Sequence, residues 1–297
     1  MKQKWHSLST ATKGLLAGVA SAVFLTAYLV TNKYIYNTYD ISALQYSLIF
    51  AIAGGLFGGL SLTRNMNSRI FAEVKKDVWM FVVLSLASFV AVGLLVIGQR
   101  YTTSVNASLI GTTTILTTMF FSAVMMHEHI TQRQKLWVVM LFIGMYVGIV
   151  GLHRIHISRG DTIILSSEII FGFVNVLSRK MMRKHGSLIV PNMRLVLAAC
   201  FAILCSIFFV RNWVVIGQLW PWALVAGMFY WLCMKTFATS VHLINANHAI
   251  VLVNSQVVIT ALAGVLLLGE HYTWEKLIGS VIVLTSIYFI TIRARKT

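Results

Sequence analysis

The stretch Ser104-Val105-Asn106-Ala107-Ser108-Leu109-Ile110 leads an apolar run that closes at His127-Glu128-His129-Ile130-Thr131. The chain then repeats the pattern: Ala246-Asn247-His248-Ala249-Ile250-Val251-Leu252 leads a run that closes at Gly269-Glu270-His271-Tyr272-Thr273. Ala107, Thr118, Glu128, His129 and Thr131 meet Ala249, Thr260, Glu270, His271 and Thr273 at one constant offset. A weaker echo links Phe24 through Thr31-Asn32-Lys33 to Phe171 through Ser178-Arg179-Lys180. The sequence therefore reads as two halves on one plan, residues 1–152 and 153–297, with no linker between them long enough to make independent domains.

Around these two runs lie others of the same kind. The chain has 297 residues, 58% of them hydrophobic and only 11% charged, against about 25% charged in a soluble domain. Apolar runs span Gly14 to Asn32, Ile41 to Leu62, Val78 to Gly98, Val105 to Met126 and Leu136 to Leu152. Five more span Thr162 to Met181, Leu188 to Val210, Trp220 to Phe237, Ala246 to Leu268 and Leu277 to Ile292. Most are about 17 to 23 residues, enough to cross a hydrocarbon core of about 30 Å. The fold class predicted is an all-α integral membrane protein with ten transmembrane helices. Ala20-Ser21-Ala22 imitates a signal-cleavage triplet but sits inside the first run, which reads as an uncleaved helix. Cys200, Cys205 and Cys233 lie in apolar runs and read as small core residues.

The net charge of +16 sits in the short loops. That placement reads as a topology signal and argues against a nucleic-acid partner; bilayer lipid is the implied surrounding. With the N-terminus cytoplasmic, sixteen of the 24 Lys and Arg fall on the inner side. Lys33, Arg100, Arg154, Arg159, Arg211 and Lys276 fall outside. Both termini are thus expected in the cytoplasm of a cell membrane, inner or plasma. Five helices per half is an odd number, so the second half is expected upside down. The loops agree: the one after the second helix is basic while its counterpart holds only Arg211, and the bias reverses after the first and sixth. Two inverted five-helix repeats let one central site face each side in turn.

With these motifs the sequence resembles the drug/metabolite transporter superfamily, in particular its EamA-type members. The resemblance rests on both copies of the small-polar-small lead and the closing Glu, any residue, hydrophobic residue, Thr, and it covers essentially the whole chain. The second copy, Leu266 through Gly279, follows the family pattern closely; the first has His127 and Trp137 where the family shows Gly. The resemblance implies a central cavity and a substrate among amino acids, other metabolites, nucleotide sugars or drugs. It also implies a basic residue early in the second helix of each repeat. Arg194 fits this in the second half, and Gln45 stands at the matching place in the first.

Polar residues inside a membrane are costly, roughly 2.5 to 3.5 kcal/mol for a charge at mid-span. Glu168 is the one carboxylate well inside a run, and it reads as a proton-coupling group, a ligand for a substrate amine or a structural acceptor. Lys235 reads as a ligand for an acidic substrate group or as a snorkelling side chain. Asn175 shares a helix stripe with Glu168. Thr113 in the fourth run, and Asn254 and Gln256 in the ninth, either line a cavity or join helices. Tyr28, Tyr230 and Trp231 are candidate aromatic walls. Glu128 and Glu270, with Thr131 and Thr273, are expected to hold the turn or the start of the following helix. The nine histidines show no metal-ligand spacing, and no cofactor is implied.

The expected function is secondary transport of a small-molecule substrate, such as an amino acid or a drug, by an exporter using alternating access, with Glu168 available for proton coupling. The alternative within the same superfamily is an exchanger of nucleotide sugars or other anionic metabolites. A lipid-modifying membrane enzyme needs converging acids or a metal and is disfavoured. A channel or a non-transporting component is the third class. No nucleotide-binding GxxxxGK[ST] motif is present.

Overall fold

The computed structural model describes residues 9–65, 68–127, 131–150, 158–210, 213–244 and 246–292. Glu128, His129, His153, Arg154, His156, Arg211 and the basic residues at both ends of the chain lie outside the described residues. The regular structure described is helical throughout. Apolar residues dominate these segments, and in lipid a helix satisfies every backbone group within itself.

The first half runs α1 (Thr10–Thr38), α2 (Ala43–Asn65), a short α3 (Ser68–Lys76), α4 (Val78–Gln99), α5 (Ser104–Gly111), α6 (Thr113–Met126) and α7 (Gln132–Val150). The second runs α8 (Arg159–His185), α9 (Ile189–Phe209), α10 (Trp213–Ile244), α11 (Ala246–Asn254), α12 (Gln256–Leu268) and α13 (Trp274–Ile292). Among the described residues, eight helical segments are long and apolar enough to cross a membrane, α5 with α6 and α11 with α12 each counting as one. The helices at the fifth and tenth expected spans, α7 and α13, have 19 residues each and are not among the eight.

The fourth and ninth runs, expected as unbroken helices, are interrupted. Thr112 (φ −68°, ψ −17°) and Ser255 (φ −60°, ψ −11°) stand at the interruptions. Around each, the backbone tightens to i→i−3 bonding: Thr112 N–H to Leu109 O and Ile115 N–H to Thr112 O, then Ser255 N–H to Leu252 O and Val258 N–H to Ser255 O. One turn of 3₁₀ geometry thus kinks both spans at nearly equivalent points.

The packing repeats with the halves exchanged. α1 packs on α10 and α12, while α8 packs on α4 and α6. α2 packs on α9 and α10, while α9 packs on α2 and α4; α7 packs on α13. Glycines set the closest seams. A Cβ on Gly279 of α13 would lie 2.6 Å from the Cα of Gly148 on α7, and one on Gly160 of α8 would lie 2.6 Å from Gly98 O of α4. Small residues at such seams let helices gain dispersion contacts that lipid does not offer.

α6 and α12 end alike. His127 and Gly269 both take left-handed conformations (φ 53° and 64°), and their N–H groups bond to Ser122 O and Gly264 O. Gly adopts this geometry freely, whereas a Cβ strains it. His127→Gly is therefore expected to stabilise the protein by about 1 kcal/mol, read as a higher thermal midpoint in detergent.

At the junction of α3 and α4, Asp77 Oδ2 lies 2.6 Å from Lys184 Nζ and 2.6 Å from His185 Nε2, both at the end of α8. The bond from Lys184, then that from His185, holds the Asp77 carboxyl below the usual carboxylate range. A depressed pKa contributes stability that is complete above the unfolded value and is lost as pH falls through the folded one. Asp77→Asn is expected to lower the thermal midpoint at neutral pH and to match the wild type in strongly acidic solution.

Candidate functional site

Polar side chains gather on two features of this frame: the seam between α6 and α8, and the core where α1, α2, α9 and α10 meet. On the seam, Gly172 lets α8 approach Thr117 of α6 closely. The Thr114 hydroxyl donates to the Glu168 carboxylate, and the Thr117 hydroxyl donates to Glu168 O at 2.8 Å. Asn175 Nδ2 donates to Thr118 Oγ1 at 3.3 Å, and Arg179 Nη2 donates to Ser122 Oγ at 2.6 Å. The threonines repeat at helical spacing, so one face of α6 meets one stripe of α8. Glu168 is 4% exposed. It stands nine residues into α8, about 14 Å along the axis, because the helix begins earlier than its apolar run does. Asn175, on the same stripe, is exposed.

In the core, the Tyr28 and Tyr230 rings meet at a tilt, 5.3 Å between centroids, with Phe50 at 5.2 and 5.7 Å from them. Neither tyrosine hydroxyl meets a hydrogen-bond partner among the described residues. Tyr230 lies within electrostatic reach of both Arg194 and Glu168. Arg194 is 5% exposed, and Nη2 donates to the thioether of Met234 at 3.0 Å. Trp231 stands beside this core: its Nε1 donates to Asn192 Oδ1 at 3.1 Å, and Lys235 places its ammonium 4.9 Å from the ring centroid. Lys235 itself is exposed, which suits a cation over a ring at a polar edge.

The kinks carry the remaining candidates. Thr113 donates to Ile110 O at 2.6 Å, beside Thr112 to Leu109 O and Thr114 to Gly111 O. Asn254 donates to Ile250 O at 2.8 Å; Gln256 is buried, and its Oε1 has no partner. Hydroxyls that back-bond to helix carbonyls bend a helix, so these residues shape the interruptions. Of the sequence candidates, Tyr28, Tyr230, Glu168 and Arg194 converge. Thr113, Asn254 and Gln256 sit at the kinks, and Trp231 and Lys235 form an adjoining pair. Gln45 is half-buried on α2.

A family model described as the EamA-like transporter family matches residues 12–150 and again residues 158–292. The chain belongs to the EamA-like transporter family. It is a multi-pass membrane protein of that family. It is 24% identical over 143 residues to the "Uncharacterized transporter YyaM" of Bacillus subtilis (strain 168). That match spans 46% of this chain and 47% of the relative, so the chain spans about half the length of the curated relative it matches. A solved crystal structure of a protein 15% identical in sequence superposes with a TM-score of 0.60 over 96% of this chain and 98% of that one, which shows a shared fold.

In this EamA-like chain the closing motif of α12 serves the other half. Glu270 accepts from the backbone N–H groups of Ser104 (2.7 Å) and Val105 (3.2 Å), at the start of α5 and not of α13, the helix that follows it. Thr103 Oγ1 takes the next N–H, from Asn106. The carboxylate thus answers the unpaired donors and positive dipole of α5. Thr131 bonds reciprocally with Gln134 at the start of α7, and Thr273 O accepts from Leu277 N–H at the start of α13. Glu128, the counterpart of Glu270, lies outside the described residues.

Sequence reasoning passed over Asn32 and Gln99. Asn32 Nδ2 donates to Gln99 Oε1 at 2.8 Å, and Tyr46 donates to Asn32 Oδ1 at 2.7 Å. Lys33 donates to Gln99 O at 3.3 Å, and Tyr36 to Val96 O at 2.9 Å. These bonds tie α1 to the end of α4. Their signal was a polar residue at the end of each of two apolar runs, which is read by default as a loop boundary.

Removing the Glu270 carboxylate strands two backbone donors. Glu270→Ala is expected to cost about 1–2 kcal/mol, and Glu270→Gln less, because an amide oxygen still accepts. Thermal midpoints of the two variants give the comparison.

Proposed function

We propose that this protein is a secondary transporter of ten transmembrane helices, arranged as two inverted five-helix repeats (residues 1–152 and 153–297), that exports a small metabolite by alternating access. Both termini lie in the cytoplasm, and the protein resides in the inner or plasma membrane. The packing that recurs with the halves exchanged carries this reading: α1 with α10 and α12 mirrors α8 with α4 and α6. Each group draws helices from both repeats, so one group can rock against the other about the shared core. The kinks at Thr112 and Ser255 supply two hinges near the middle of spans that touch that core.

Within the core, Glu168 is the proton-coupling group. It is buried, and its carboxylate side chain is bonded by a single neutral hydroxyl, that of Thr114. A carboxylate so placed is readily switched by protonation or by a substrate cation. Arg194, a buried cation with no acid within 4 Å among the described residues, favours the exchange of anionic metabolites as the second reading.

The substrate is found by testing metabolite pools for those that raise the thermal midpoint of the purified protein. Its flux is then measured in proteoliposomes over a range of pH. Wild-type flux is expected to follow an imposed proton gradient, and Glu168→Gln to exchange substrate without responding to it. Glu168→Gln transporting as the wild type does at every pH would end the coupling role, leaving transport itself standing.

A further inference from the structure

We infer that Arg194 and Tyr230 form an anion subsite in the core of the molecule, taking a carboxylate or phosphate group of the transported solute. The inference rests on the transporter reading and names the chemistry of one end of its substrate.

Two buried polar atoms, Arg194 Nε and Tyr230 Oη, meet no hydrogen-bond partner among the described residues. Arg194 on α9 is 5% exposed and Tyr230 on α10 is 3% exposed. The guanidinium lies against the Tyr230 phenol and near the Cys233 thiol, yet Arg194 Nε and Tyr230 Oη make no hydrogen bond. Among the described residues, the guanidinium's hydrogen bond is to Met234 Sδ, a weak acceptor. No carboxylate among the described residues comes within 4 Å of Arg194; Glu168, the buried acid nearby, is engaged by Thr114. Arginine does not shed its proton to escape burial. A buried guanidinium without a counter-charge is strongly unfavourable, so the site calls for an anion from outside the chain. The guanidinium fork presents parallel donors that match the two oxygens of a carboxylate or phosphate, and the Tyr230 hydroxyl adds a third donor beside it. The neighbouring wall of Tyr28 and Phe50 is aromatic and carries no charge. A purely structural arginine would be expected to meet a carboxylate, as Arg100 meets Asp40.

The test is a thermal-shift titration of the full-length protein, purified in neutral detergent, with acetate, benzoate and inorganic phosphate. Acetamide and benzamide serve as uncharged counterparts, sodium chloride as an anion control, and anionic phospholipid as a separate arm. At least one oxyanion is expected to raise the wild-type midpoint while its amide does not. Arg194→Met should abolish the shift, and Tyr230→Phe should weaken apparent affinity on the order of tenfold. Without ligand, Arg194→Met should melt at or above the wild-type midpoint, because the uncompensated charge is gone. Three outcomes overturn the subsite: oxyanions giving no shift beyond that of chloride, a shift retained in Arg194→Met, or a shift produced by phospholipid alone, which assigns the anion to a headgroup. Proteoliposome flux separates the two readings. Flux without anion binding overturns the subsite and leaves transport. Anion binding at Arg194 without flux of any bound solute overturns transport and leaves the subsite.

Discussion

A helix interrupted in the middle of a membrane releases backbone groups where no water can reach them, and much of this structure follows from how two such interruptions are sealed. At Thr112 and Ser255 the chain tightens by one turn instead of opening. The hydroxyls of Thr112, Thr113 and Thr114 bond the carbonyls of the preceding turn, and Ser255 does the same in the second half. Each kink therefore keeps its bonds inside its own helix. Thr114 is the exception that reaches outward: its single hydroxyl proton lies between Gly111 O and the Glu168 carboxylate. The device that bends α5 into α6 thus also positions the buried carboxylate on α8.

The same constraint explains the division of labour among acids. Glu270 spends its charge on the first two N–H groups of α5, joining the end of one half to the start of a helix in the other. Asp161 closes a capping box with Ser158 and accepts from Thr102 at 2.5 Å. Asp77 ties α4 to α8 through Lys184 and His185. These three are committed to helix ends. Glu168 and Arg194, deeper in the bundle, are not committed in that way, and this difference sets them apart as working residues.

How far the sequence could be read depended on whether a signal was local. Helix positions were legible because apolar runs of span length have one stable form in lipid. His127 stood out as a departure from glycine, and the left-handed cap at that position gives the reason. Glu168 stood out because a carboxylate well inside an apolar run is costly and rare. Asn32 and Gln99 did not, since their pairing spans 67 positions and joins the ends of two runs. The partner of Glu270 was also out of reach: a carboxylate after a helix suggests the next helix, and only folding brings α5 to it.

By itself the sequence determined a membrane-embedded, all-helical chain with a duplicated plan, because hydropathy, loop charge and repeated motifs are properties of short segments. The tertiary structure decided where the two spans kink, which half each capping acid serves, and that Arg194 and Tyr230 meet without partners of their own. Those outcomes depend on distances between residues far apart in the chain, which are set by close glycine contacts and by the need to satisfy polar groups away from water.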